Sequence, residues 1–330
     1  FSPIQPSLGD AEHVLISPET FLTIVPFEAM VAPDGRFLVE RYAFSYLVAG
    51  RDVLRMRPAD PKAEGAVILA DPDFEALPAT DSAPSVVTGS SEPPRGLVGA
   101  RFDRLPGTAE EAARVAELLG VPAEKVLRGA GATKAALLSL PHPPRVLHVA
   151  THGFFLRDTL SSDAATRPAE GSRAGVFGPG AHLTDPLLGT GLALAGANVC
   201  EAGDGLLTAL EVAGMSLQGT ELVVLSACET GRGVLEIGQG VFGLPRAFFQ
   251  AGARSLVNSL WKVPDRETAE LMECLYAAWR DGKGKAPSLR QAQLEMIRRL
   301  REKSDGFAHP FFWAGFVLLG EWDGQRIPGR

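Results

Sequence analysis

The sequence predicts an α/β fold, a mainly parallel sheet with helices on both faces, preceded by an antiparallel N-terminal strand region. Two apolar runs, Arg145-Val146-Leu147-His148-Val149-Ala150 and Glu221-Leu222-Val223-Val224-Leu225, are β-rich and nearly continuous. That is the pattern of strands buried on both faces of a parallel sheet. From residue 66 onward such runs alternate with helical periodicities, which argues for helices covering both sides of one sheet. Residues 1–63 instead carry short strand-sized segments separated by turn residues.

In chain order, Phe21-Leu22-Thr23-Ile24-Val25, Phe37-Leu38-Val39-Glu40 and Ala43-Phe44-Ser45-Tyr46-Leu47 read as short strands, with Pro33-Asp34-Gly35 as a turn between the first two. Ala66-Val67-Ile68-Leu69-Ala70 opens the regular α/β pattern, and the Pro-, Ser- and Gly-rich stretch from Asp71 to Arg101 reads as a surface loop. Thr108 with Glu111 three residues on predicts a capped helix start, followed by Ala112, Val115, Leu118 and Leu119 at helical spacing. A short helix over 132–138 precedes the first long strand, and a helix over 206–215 precedes the second. Then come a helix over 241–251, a strand over 255–261, helices near 265–281 and 287–303, and a last strand over 311–319. The expected division is a strand and hairpin region, 1–63, packed on a core formed by 64–330. A loop as long as 155–186 is usually functional, so a mobile segment beside the site is expected there.

Charge and composition narrow the function. With 32 basic and 39 acidic residues the net charge is −7, and no dense Lys/Arg block is present to neutralise phosphates, so nucleic acid is not an expected direct ligand. No apolar run approaches the roughly 20 residues that span a bilayer. The chain starts at Phe1 with neither Met nor a basic segment followed by an apolar signal core, which suggests a fragment without its upstream part. Three cysteines do not make a disulfide framework, so a reducing, cytoplasmic setting is expected. No cofactor or metal is expected: Gly189-Thr190-Gly191-Leu192-Ala193-Leu194 lacks the last glycine of a dinucleotide fingerprint, and Gly129-Ala130-Gly131-Ala132-Thr133-Lys134 lacks the ending of a phosphate loop. His13, His142, His182 and His309 have no acidic or Cys neighbours at ligand spacing.

Two positions carry chemistry. His152, in Val149-Ala150-Thr151-His152-Gly153, and Cys228, in Leu225-Ser226-Ala227-Cys228-Glu229-Thr230-Gly231, each follow a buried run where the chain reaches glycine. Residues at the carboxyl ends of such strands face the crevice where ligands bind. They are 76 positions apart (228 minus 152), so only the fold can join them. Cys274 sits among Leu271, Leu275 and Ala278 at helical spacing and Cys200 follows an apolar run, so both read as core or loop residues. His148 shares the strand of His152 at an even spacing and reads as a satisfied core histidine, with His152 expected beyond the strand end. Glu201, Asp204 and Glu229 offer acidic groups near the Cys-bearing strand, and Asp265 lies near the same crevice. They are candidates for a pocket that takes a basic side chain, against the plainer roles of helix cap or loop brace.

These segments resemble a CHAT domain, a caspase-like cysteine peptidase family related to separases. The resemblance runs through Ile24-Val25-Pro26-Phe27-Glu28-Ala29-Met30, Leu105-Pro106-Gly107-Thr108-Ala109-Glu110-Glu111, Leu147 to Gly153, Leu192-Ala193-Leu194-Ala195-Gly196-Ala197-Asn198, Asp204 to Ala209, Leu225 to Gly231, and His309-Pro310-Phe311-Phe312-Trp313-Ala314-Gly315-Phe316. It implies a caspase-like sheet and a cysteine endopeptidase that cleaves specific protein partners with a His152–Cys228 dyad. It also implies oxyanion donors at the backbone N–H groups of Gly153 and Cys228. Members often act in regulated bacterial systems and are often fused to tetratricopeptide repeats. No 34-residue repeat occurs here, so a repeat or other sensor region is expected outside this chain. The alternatives are a catalytically silent interaction module that keeps the fold, and a thiol acyltransferase or hydrolase acting on a small molecule.

Overall fold

The computed structural model describes residues 3–56, 63–77, 101–155, 187, 189–199, 205–229 and 240–323. The N-terminal part contains the short helix α1 (Gln5–Leu8) and the strands β1 (His13–Ile16) and β2 (Ala43–Tyr46). Then follow β3 (Glu64–Pro72), α2 (Pro106–Leu119), β4 (Val126–Gly129), α3 (Lys134–Leu138) and β5 (Pro144–Phe155). Next are β6 (Thr190–Ala193), β7 (Leu206–Thr208), α4 (Ala209–Ala213), β8 (Leu222–Glu229) and α5 (Gly240–Ala251). The chain continues with β9 (Ser255–Ser259), α6 (Asp265–Arg280), α7 (Lys285–Lys303) and β10 (Phe316–Gly320).

One mostly parallel sheet runs in the order β1-β2-β10-β9-β8-β5-β3-β4, with β6 and β7 added on β5. The strands β9, β8, β5, β3 and β4 pair in parallel, and β10 is antiparallel to β9. Period-two alternation sends Leu147, Val149, Val223 and Leu225 to a core with α3, α4 and α5. Val146, Ala150, Leu222 and Val224 go to a second core with α2, α6 and α7, where Trp279 and Trp313 are fully buried. Both faces of β5 and β8 are therefore covered, which is why their sequences lack a polar alternation.

The N-terminal region departs from the expected hairpin. Only the Ala43 segment forms the expected strand; Thr20–Ile24 and Leu38–Glu40 are 3-10 turns. The turn at Pro33-Asp34-Gly35 is present, but it closes a single bridge between Val31 and Phe37. β1 and β2 pair with each other in parallel, not antiparallel, while both run opposite to the central strands because β10 reverses direction against β9. The runs at 21–25 and 37–40 gain no ladder of their own, and Leu38 and Val39 are buried by a tight turn instead.

Three further expectations change. Residues 206–208 begin the anticipated helix as strand β7, and α4 starts only at Ala209, capped by Thr208, whose hydroxyl accepts from Glu211 N–H at 3.3 Å. The last strand begins at Phe316, after a 3-10 turn over Pro310–Phe312. α2 begins at Pro106 and ends at Leu119, followed by Gly120, which is left-handed (φ 63°) as an αL cap requires. Thr108 does not cap α2: its hydroxyl donates to Leu105 O at 2.7 Å and accepts from Asp71 N–H at 2.9 Å. The segment 156–186 and most of 71–101 lie outside the described residues.

Candidate active site

His152 and Cys228 are direct register partners on the adjacent parallel strands β5 and β8, and Gly153 pairs with Glu229 one step further. The sequence places both residues at strand ends. On β5 the strand instead runs on past His152 to Phe155, where β6 pairs with it, whereas β8 ends at Glu229, one residue past Cys228, as the sequence suggests. His148 and His152 therefore lie on one continuous strand, and period two applies to both.

The His152 ring is 6% exposed and lies between Phe74 and Phe102, with ring centroids 5.5 and 5.8 Å away. Its Nε2–H donates to the carbonyl oxygen of Asp103 at 2.8 Å. A carbonyl only accepts, so this bond fixes the proton on Nε2 and leaves Nδ1 as the lone-pair nitrogen. Burial lowers the pKa of His152 from its ordinary value. The Asp103 bond acts against that shift, nearby Lys262 reinforces it, and the charges of Asp103 and Asp265 oppose it. The ring is held in one orientation, and the lowered pKa favours the neutral imidazole at neutral pH.

The Asp103 carbonyl is itself held on both sides. Asn198 accepts from Phe102 N–H and donates to Phe102 O, both at 2.9 Å. Arg104 forms a two-point ion pair with Asp71 at 3.0 and 2.7 Å. Asp71, at the end of β3, has φ 43°, a left-handed backbone uncommon for a residue other than glycine. Asp73 O and Phe74 O also accept from Gly196 N–H and Asn198 N–H. The supporting residues thus converge from β3, from the turn after β6 and from the segment leading into α2.

The acidic candidates divide. Asp265 is the first residue of α6, where its side chain does not cap the helix. It packs against Gly107 so closely that a methyl group at 107 would collide with it, and its charge reaches His152. Glu229 ends β8 opposite Gly153. Glu201 and Asp204 lie outside the described residues, as does Cys200. Beside Gly153 a small cleft of about 30 Å³ is lined by Phe154, Thr190, Leu225, Leu244, Asn258 and Leu260 among others, with no ionisable side chain among the described residues. Among the described residues no helix is long and apolar enough to cross a membrane.

The family model for the CHAT domain matches residues 1–321. The chain belongs to the CHAT domain family. Over 321 residues this CHAT domain is 27% identical to tetratricopeptide repeat protein 28 of Mus musculus, covering 95% of the chain and 12% of that protein. Over 222 residues it is 30% identical to the Homo sapiens protein of the same name, covering 66% of the chain and 8% of the relative. The chain thus spans a small part of the length of these relatives. The crystal structure of the Arg-specific cysteine proteinase gingipain R is similar over 99% of the chain and 68% of the proteinase, with TM-score 0.49 and 10% identity.

Residue-by-residue reading of the CHAT domain missed Asp103, Phe74, Phe102 and Asn198. Asp103 acts through its backbone, which side-chain chemistry cannot reveal. Phe74 and Phe102 did leave a trace: two aromatic residues flank a stretch otherwise rich in Pro, Ser and Gly. A loop that is only surface has little use for them.

Proposed function

We propose that this CHAT domain is a cysteine endopeptidase acting on specific protein partners, with His152 and Cys228 as its dyad. The observation that carries the reading is the register pairing of His152 with Cys228, together with an imidazole whose Nε2 proton is fixed on Asp103 O. The thiol of Cys228 gives its proton to His152 Nδ1, and the sulfur attacks the peptide carbonyl carbon. The carbonyl oxygen gains the negative charge and is held by the N–H groups of Gly153 and Cys228. These groups lie within the β5–β8 ladder, so its last rungs part as the substrate enters. Collapse of the tetrahedral adduct breaks the C–N bond, and the leaving amine takes the proton from the imidazolium. Water, deprotonated by His152, then hydrolyses the thioester and returns the thiol.

Burial favours the later step of this proton path, donation to the leaving amine, over the first, uptake from the thiol. A lowered imidazole pKa makes His152 a poor partner for a resting ion pair but a good acid once protonated. Cys274 is no competitor, because burial pushes its thiol up. Glu201, Asp204, Glu229 and Asp265 remain the residues proposed to select a basic side chain before the cut. The names of the relatives support a tetratricopeptide-repeat region as regulatory partner, fused or upstream. A cytoplasmic setting suits the thiol chemistry.

The test is incubation of wild type and Cys228→Ala with a proteome-derived peptide library, reading new amino termini by mass spectrometry. Termini that need Cys228 and share a residue before the cut support the peptidase. Identical termini from both proteins, with an activating partner present, would rule it out.

A further inference from the structure

A buried polar cluster lies one layer behind the dyad, and the proposed chemistry does not use it. His148 and Glu111 are 0% and 2% exposed, and His148 Nε2 faces Glu111 Oε1 at 3.1 Å. The approach is oblique, and neither atom has another polar partner. His148 Nδ1 meets the Tyr276 hydroxyl at 3.1 Å, and Ser226 Oγ donates to Glu111 Oε2 at 3.1 Å. Nδ1 and the phenol share one hydrogen bond, while Nε2 and Glu111 Oε1 approach without closing one. Both side chains that meet Glu111 come from the site strands.

The elements involved are informative. Glu111 belongs to α2, His148 to β5, Ser226 to β8 and Tyr276 to α6. His148 stands four residues before His152, and Ser226 two before Cys228. The segment that runs into α2 carries the Asp103 carbonyl bonded to His152. An apolar contact is tolerant of small slides and rotations, whereas a buried carboxylate left without its donors is costly. A buried polar contact therefore fixes register where packing alone does not.

We propose that Glu111 is a positioning residue: by engaging His148 and Ser226 together it locks α2 against both site strands at one height, and so holds the Asp103 carbonyl on His152 Nε2. The proposal rests on the reading of His152 as the proton carrier, and goes beyond it in assigning what sets the ring's position.

The experiment is a pH titration of the His152 ring by nitrogen-15 NMR in the full chain, with the signal assigned by its loss in His152→Gln. It is run on wild type, Glu111→Gln and Ser226→Ala, alongside the rate of Cys228 alkylation by iodoacetamide. Glu111→Gln keeps the shape but turns one acceptor into an amide donor that opposes a donor. The His152 midpoint moves further down as the ring loses the Asp103 carbonyl that opposes the effect of burial, and Ser226→Ala moves it the same way by less. Alkylation at neutral pH falls by roughly ten- to a hundredfold in Glu111→Gln, the range found where outer partners orient a metal-bound imidazole. Wild-type titrations in both folded variants overturn the proposal. Should Glu111→Gln fail to fold, Ser226→Ala decides on the same criterion. Failure of the peptidase reading shows separately, as wild-type Cys228 alkylating no faster than in His152→Gln, and the ring titration still reads the positioning.

Discussion

Ser259 donates its hydroxyl to the carbonyl oxygen of Ala227 at 2.7 Å, and so is bonded to the peptide unit whose N–H belongs to Cys228. Carbonyl and N–H lie at opposite ends of one planar dipole, so a donor on the oxygen strengthens the N–H as a donor. That N–H is one of the two proposed to hold the oxyanion. Ser259→Ala is expected to lower kcat several-fold with KM little changed, because the effect belongs to the charge of the transition state. Stability should fall by about 1 kcal/mol, the usual net worth of one hydrogen bond. A KM effect with unchanged kcat would place Ser259 in substrate binding instead.

Asn198 grips the Phe102 backbone with a donor and an acceptor at once. Asn198→Asp keeps the acceptor and sets an oxygen against Phe102 O, so it loses that bond. The expected cost is about 1 kcal/mol in chemical denaturation, the net worth of a hydrogen bond, because Asn198 is half-buried and its amide also reaches the exposed Glu75. The lever arm is the neighbouring residue: once Phe102 shifts, the Asp103 carbonyl leaves His152. Turnover should therefore drop in Asn198→Asp even at temperatures where the protein is fully folded.

Glu28 is the acid with the clearest pH consequence. It is 2% exposed and accepts from the Tyr46 hydroxyl at 2.6 Å, and burial pushes its pKa up to about 7 from 4.5. The folded state then holds a proton that the unfolded chain has released between pH 4.5 and 7. Stability falls as pH rises through that window, by a total of about 3 kcal/mol for this group. Glu28→Gln, which keeps an acceptor for Tyr46, should match wild type near pH 4 and exceed it above pH 7. Urea unfolding of both proteins at the two pH values measures the difference.

Gly153 lines the small cleft and carries the other proposed oxyanion donor. Gly153→Val puts a branched side chain where the substrate carbonyl must approach. Turnover should fall by roughly a hundred- to a thousandfold, the scale of losing one oxyanion donor. Unchanged turnover in this variant would remove Gly153 from the site.

Much of the architecture was legible because burial on two faces writes itself into sequence. Val146 to Ala150 and Leu222 to Leu225 read as central strands, and the structure has them as β5 and β8. The register of His152 with Cys228 was not legible, since it depends on the sheet order. Thr108 and Glu111 show why local pattern misleads: their spacing is that of a capping box, but both are buried and bonded to other elements. Leu206 to Thr208 failed in the same way, because pairing with β6 overrode the helical periodicity. The parallel pairing of β1 with β2 was hidden by the reversal at β10, far along the chain.

The two halves of the site are built from different kinds of bond. His152 and Cys228 stand on strands held by ladders on neighbouring strands, whereas the Asp103 segment is tied down by a few side chains, Asn198, Asp71 and Glu111 through α2. Local opening free energies follow such differences. Amide protons of Phe102 to Leu105 should exchange through small openings, and those of Leu147 to Ala150 in β5 only near global unfolding. Heat or mild denaturant would then disarm the histidine while the sheet is still intact, and anything that pulls on the 102–105 segment would do the same at constant temperature.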